Sequence, residues 1–132
     1  MRMRYLFFFA LTTVAASLQA NSLESILTAY EAKGAGPFSA QQGSKQWQRV
    51  VTHAGKGKPR SCGDCHGEDL KSPGRHAKTG KRIEPMAPSV NPMRLTDAKK
   101  IEKWFKRNCK WTWGRVCTDQ EKGDLLLYLQ QQ

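Results

Sequence analysis

Two cysteines and a histidine fall within five consecutive residues, Cys62-Gly63-Asp64-Cys65-His66, and no other stretch limits the fold of the chain as strongly. The spacing sets two thiols on one short turn, where each can add to a vinyl group of a haem, and the adjacent histidine supplies a nitrogen to the iron. C-x-x-C-H is the attachment signature of a covalent c-type haem, so the chain must fold around a large, flat, apolar group. C-x-x-C also serves thioredoxin-like exchange and zinc ribbons. Neither fits here. The flanks are Gly, Lys and Pro on one side and Gly, Glu and Asp on the other, without a βαβ pattern, and seven residues separate Cys109 from Cys117, which are therefore no close pair for zinc.

The amino terminus points to export. Arg2 and Arg4 precede an apolar run from Leu6 to Ala16, and Leu18-Gln19-Ala20 ends on a small residue suited to cleavage. Residues 1–20 are expected to be a signal peptide and residues 21–132 a single domain in the periplasm, with no integral membrane segment in the mature chain. So short a domain has a thin core unless a prosthetic group fills it, which one haem c does. The chain holds 22 Lys and Arg against 11 Asp and Glu, a formal charge of +11, which the loss of Arg2 and Arg4 lowers to +9. Nucleic acid is excluded as a partner, since no recognition motif accompanies the charge and the chain is exported. Ten basic against three acidic residues lie between Lys45 and Arg82. The surface around Lys56, Lys58, Lys71, Lys78 and Lys81 is thus either a steering face for an acidic redox partner or simply solvated.

Hydrophobic spacing predicts four helices. Leu23, Ile26, Leu27 and Tyr30 give a first helix over 21–33, with Asn21 and Glu24 as a capping pair and Gly34 as its stop. A polar helix follows over 39–52, with Trp47, Val50 and Val51 on one face, and residues 67–92 read as a loop around one haem edge. A third helix opens at Thr96 as N-cap, with Asp97 in its first turn and Ile101, Trp104, Phe105 and Asn108 as its inward stripe. A capping box from Thr118 to Glu121 starts the last helix, which runs through Leu125 to Leu129. Helices at both ends of a small C-x-x-C-H chain resemble the all-α, class I cytochrome c fold, whose terminal helices cross and pack on the haem.

Iron has two axial positions, and the second separates an electron carrier from a gas-binding site. His66 fills the first. Met86, in Glu84-Pro-Met-Ala-Pro, can fill the second or form an apolar crevice wall, with Met93 as a substitute. His53 and His76 lie in Gly- and Lys-rich stretches, where a solvated or propionate-bonded imidazole is expected. Asn108 either finds a partner or metal for a buried amide or caps its helix. In an oxidising compartment Cys109 beside it should pair with Cys117.

The chain from about Trp47 to Leu129 resembles the sphaeroides haem protein (SHP) group of monohaem, oxygen-binding cytochromes c. The likeness rests on Ser61-Cys-x-x-Cys-His-Gly67, on Pro85-Met-Ala-Pro-Ser-Val-Asn-Pro92, and on Arg107-Asn-Cys-Lys-Trp111 followed by Gly114-Arg-x-Cys-Thr118. That resemblance implies an asparagine as sixth ligand, here Asn108, with Cys109 and Cys117 as a disulfide and Met86 as a crevice residue. It further implies a dihaem cytochrome c as electron donor and a ferrous site that opens to small gases such as oxygen and nitric oxide once Asn108 lets go. A His66/Met86 electron shuttle is the alternative. For an enzyme acting on a bound gas, only Trp111, Trp113 and Arg115 offer themselves along the distal side, and packing or solvent exposure explains them as well.

Overall fold

The computed structural model describes residues 15–53 and 57–132. Its order is α1 (Ala15–Glu31), α2 (Ala40–Gln48), β1 (Val51–Thr52), β2 (Pro59–Arg60), α3 (Gly63–His66), β3 (Gly74–Arg75), β4 (Arg82–Ile83), α4 (Ala98–Trp113) and α5 (Asp119–Gln130). Arg2, Arg4 and most of the expected signal segment lie outside the described residues, as does Lys56. Among the described residues no helix is long and apolar enough to cross a membrane.

Helix α1 begins at Ala15, not Asn21, and passes unbroken through the expected cleavage point. Ala15, Ala16, Leu18, Gln19 and Ala20 are good helix formers with no Gly or Pro among them, so the backbone is already helical at Asn21, where the helix is expected to begin. Leu23, Ile26 and Tyr30 turn inward and meet Leu126 of α5. The Tyr30 hydroxyl donates to Glu102 of α4, and burial with that acid raises its pKa.

Ser39 caps α2 by accepting from the Gln42 amide. This helix stops at Gln48 and not at Thr52, because the β-branched run Val50-Val51-Thr52 favours extended backbone. Val51 pairs with Arg60 and Thr52 with Pro59 in an antiparallel ladder. Val50, expected beside Trp47, is 64% exposed. The stretch over 67–92 is also more ordered than expected, since Gly74 pairs with Ile83 and Arg75 with Arg82.

Two glycines set how closely α5 lies against the second helix and its lead-in. A Cβ on Gly43 would stand 2.1 Å from the Asp124 carbonyl oxygen, and one on Gly123 would stand 2.2 Å from the Phe38 ring. Asp124 is buried there and accepts from the Ser39 amide at 2.7 Å and from the Gln46 and Gln120 side chains, each at 3.1 Å. Three donors supply what a buried carboxylate requires.

Helix α4 is capped by Asp97, whose carboxylate accepts from the Lys100 amide at 3.0 Å, rather than by Thr96. The Thr96 hydroxyl donates instead to the Met93 carbonyl, and an acid suits the positive end of a helix better. The expected capping box of α5 is present in both directions between Thr118 and Glu121. Trp47, Leu70, Ala87, Cys109, Trp113, Cys117, Leu125 and Leu129 form the larger core cluster, and Leu95 and Phe105 join it to the smaller one around Tyr30.

Candidate haem site

The C-x-x-C-H segment forms the single turn of α3, bracketed by its own side chains. Asp64 accepts from the Ser61 amide at 2.8 Å and from the Ser61 hydroxyl at 3.1 Å, and Gly67, at φ 73°, releases the chain from the turn. Gly74 lies directly over it, where a Cβ would sit 2.1 Å from the Cys65 carbonyl oxygen and 2.8 Å from the His66 Cα. The Cys65 sulfur accepts from the Ala77 amide at 3.3 Å. Both thiols and the imidazole are thereby held on one turn by the segment that follows them.

Burial, reinforced by Asp64, pushes the Cys62 thiol up to about 12. Such a group is not the exposed, low-pKa thiolate of a disulfide-exchange enzyme. The imidazole of His66 moves the other way, to about 4, because it is buried and because the Arg94 guanidinium repels a second positive charge. Neutral imidazole is the form that ligates metal. Its Nδ1 is buried without a hydrogen-bond partner, and the Trp47 ring packs against it at 5.4 Å between centroids. Packing alone therefore orients the ring, and two thiols beside a neutral imidazole in an apolar setting fit a covalently held haem.

Met86 is half-buried against the larger core cluster, which Cys62 also touches. Its loop is pinned, with the Met86 and Ala87 amides donating to the Leu70 carbonyl at 3.0 and 2.9 Å. The Pro85 carbonyl accepts from Asn91 Nδ2 at 3.0 Å and Arg94 Nε at 2.7 Å. Met93 is 76% exposed. Each of the other histidines is engaged through one ring nitrogen: His53 Nε2 lies 2.9 Å from the Thr112 carbonyl oxygen, and His76 Nδ1 accepts from the Lys78 and Thr79 amides to close a turn.

The inward stripe of α4 differs from its sequence prediction. Cys109, Thr112 and Trp113 are its buried residues, with Ile101 and Phe105 half-buried in line with Cys109, while Trp104 and Asn108 are exposed on the adjoining flank. A step of one residue turns a helix by 100°, and the large Trp104 was assigned to the wrong side of that step. Asn108 does not cap the helix either, since α4 continues to Trp113 and closes on Gly114 at φ 73°. Cys109 and Cys117 are brought together, their Cα atoms 5.6 Å apart, within the span a disulfide requires.

Trp113 is buried, with the Arg49 and Arg115 guanidinium groups 5.4 and 5.6 Å from its ring. Trp111 stacks under Arg60 at 4.6 Å, and Arg115 forms an ion pair with Glu121 at 2.6 Å. Packing and charge pairing engage all three of these residues, while the buried Trp113 Nε1 has no hydrogen-bond partner among the described residues. Sequence reasoning missed Gly74 and Arg94 as parts of the site; only their glycine and charge signalled anything. Sequence reasoning places Trp47 on one face of the second helix, with no sign of its contact with His66.

Residues 33–129 match a family described as a domain of unknown function, DUF1924. The chain is 42% identical over 104 residues to the cytochrome c-type protein SHP of Cereibacter sphaeroides, an alignment that covers 79% of each. A solved structure of oxidized SHP, described as an oxygen-binding cytochrome c, matches with a TM-score of 0.75 at 40% identity, covering 83% of this chain and 96% of that one. The solution structure of Methylophilus methylotrophus cytochrome c'', described as giving insight into haem-ligand detachment, matches with a TM-score of 0.72 at 29% identity, covering 86% and 95%. The chain thus belongs to DUF1924 and to the SHP-like family of monohaem cytochromes c, with a mostly helical cytochrome c fold and one covalently bound haem c.

Proposed function

We propose that this cytochrome is an exported electron carrier in which Asn108 holds the second axial position in the ferric state and leaves it on reduction, admitting oxygen or nitric oxide. When bound, the haem supplies a one-electron couple and an iron with two axial positions. Cys62 and Cys65 attach it, and His66 takes the first position through its neutral ring. The carrying observation is the state of Asn108: exposed on α4, without a side-chain hydrogen bond among the described residues, and immediately before the Cys109 and Cys117 pair. An amide oxygen is a weak, neutral donor that ferric iron tolerates and ferrous iron suits poorly, so Asn108 withdraws when an electron arrives. A disulfide between Cys109 and Cys117 would keep its backbone fixed while the side chain moves.

Oxygen binding in SHP and ligand detachment in cytochrome c'' support this reading by descent. Met86 is then a crevice wall, as the family resemblance implies, on a loop whose Met86 and Ala87 amides both donate to the Leu70 carbonyl. Electrons come from another cytochrome, a dihaem one by resemblance, in the periplasm. The test is a pair of variants. Asn108→Ala should turn the ferric spectrum high-spin or water-ligated, while Met86→Leu, nearly equal in volume, should leave it unchanged. The reverse pattern would establish the His66/Met86 shuttle instead.

A further inference from the structure

We propose that the outer face of α4 is the docking surface for an acidic protein partner. Lys99, Lys100, Lys103, Lys106, Arg107 and Lys110 are all exposed on this one helix. At 100° per residue they form one continuous arc, opposite the buried row of Ile101, Phe105 and Cys109, over a length of about 16 Å. None of the six forms an ion pair within 4 Å among the described residues, where Lys33, Arg49, Arg82, Arg115 and Lys122 do. The helix's own acids are engaged elsewhere, Asp97 as the N-cap and Glu102 with Lys122 and Tyr30.

A merely solvated helix gains from alternating signs at i and i+4, yet here Lys99 faces Lys103, Lys103 faces Arg107 and Lys106 faces Lys110. Such like-charge neighbours destabilise a helix, so the arrangement favours a counter-charge from outside. Trp104 borders the arc, 42% exposed, with the Arg107 guanidinium 5.2 Å from its ring. Tryptophan and arginine are the side chains that most often anchor protein interfaces. By contrast Lys58, Lys71, Lys78 and Lys81, around the haem-attachment turn, are mixed with Glu68, Asp69 and Glu84, the last of these paired with Arg82 at 2.9 Å.

Trp104 and Asn108 share one flank of α4, so a partner seated on the arc lies beside the proposed ligand. What the partner does there rests on the electron-carrier reading, whereas binding itself does not. The experiment therefore reads binding alone. The ferric holoprotein, labelled with nitrogen-15, is titrated with poly-L-glutamate and separately with phosphatidylglycerol vesicles at low salt. Amide shifts should concentrate between Lys99 and Lys110, and K99E/K103E/K106E/K110E should weaken polyglutamate binding by about tenfold or more while its optical spectrum stays that of the parent. The milder K103Q/K106Q keeps the test open if the reversal fails to fold, and should weaken binding in the same direction. Shifts confined to residues 58–81, binding to vesicles but not polyglutamate, or no binding at all would each overturn the proposal. A wrong assignment of Asn108 would show in the spectra of its own variants and leave this titration unchanged.

Discussion

Gly74 carries more of the site than its size suggests. Any side chain there would drive into the Cys65 carbonyl at 2.1 Å and the backbone of His66, so the strand and the attachment turn approach only because this position lacks one. Gly74→Ala should cost about 1 to 3 kcal/mol of stability, as overpacking does, and lower the yield of covalently loaded protein; unchanged thermal unfolding and haem content would contradict that role. Arg94 acts on the same turn from a distance. Anchored to the Pro85 and Glu84 carbonyls at 2.7 and 2.5 Å, it helps burial keep His66 unprotonated. Cys62, Cys65 and His66 were legible because their chemistry depends on adjacency in sequence. Asn108 as a ligand rests on family likeness alone, since the helical phase expected from sequence is one step off and α4 exposes it. Gly74 and Arg94 were not, because the approach of β3 to α3 and the folding back of Arg94 onto Pro85 are tertiary facts with no local pattern.

Among the elements, α5 is the best specified by local chemistry. Thr118 and Glu121 exchange backbone and side-chain hydrogen bonds, and Arg115 and Arg49 add charge at 2.6 and 3.7 Å. Thr118→Ala should cost about 1 kcal/mol in denaturant unfolding, and a value near zero would show that packing alone sets the helix start. The Arg115 hydrogen bond holds the Glu121 carboxyl below its ordinary 4.5, so its contribution is present above that pH and lost as pH falls through the lower folded value. Acid should therefore destabilise the parent more than Glu121→Gln, which has no proton to gain; parallel stability curves below about pH 4.5 would refute it. Capping boxes are written in four residues and were read correctly for that reason. The end of α2 and the two short ladders were not, because periodicity around Trp47 continued into residues whose β-branching and distant partners Pro59 and Arg60 decide otherwise. The start of α1 was set by an expected processing event, and helix propensity upstream of Asn21 carries the helix back to Ala15.

At the scale of the molecule, a small core split into two clusters is joined around α4, which presents Ile101 and Phe105 to the interior, Trp104 and Asn108 to one flank and six cations outward. That division would let one helix serve packing together with the proposed ligation and recognition. Its consequence for function rests on one question, whether reduction frees the second axial position. The direct measurement is the optical spectrum of the dithionite-reduced protein before and after addition of carbon monoxide. Rapid conversion to a carbonyl spectrum is the result this account predicts, with Asn108 displaced and Met86 uninvolved. An unchanged low-spin ferrous spectrum, joined to the weak long-wavelength band of sulfur-ligated iron in the ferric form, would contradict it and make the protein a His66/Met86 electron carrier.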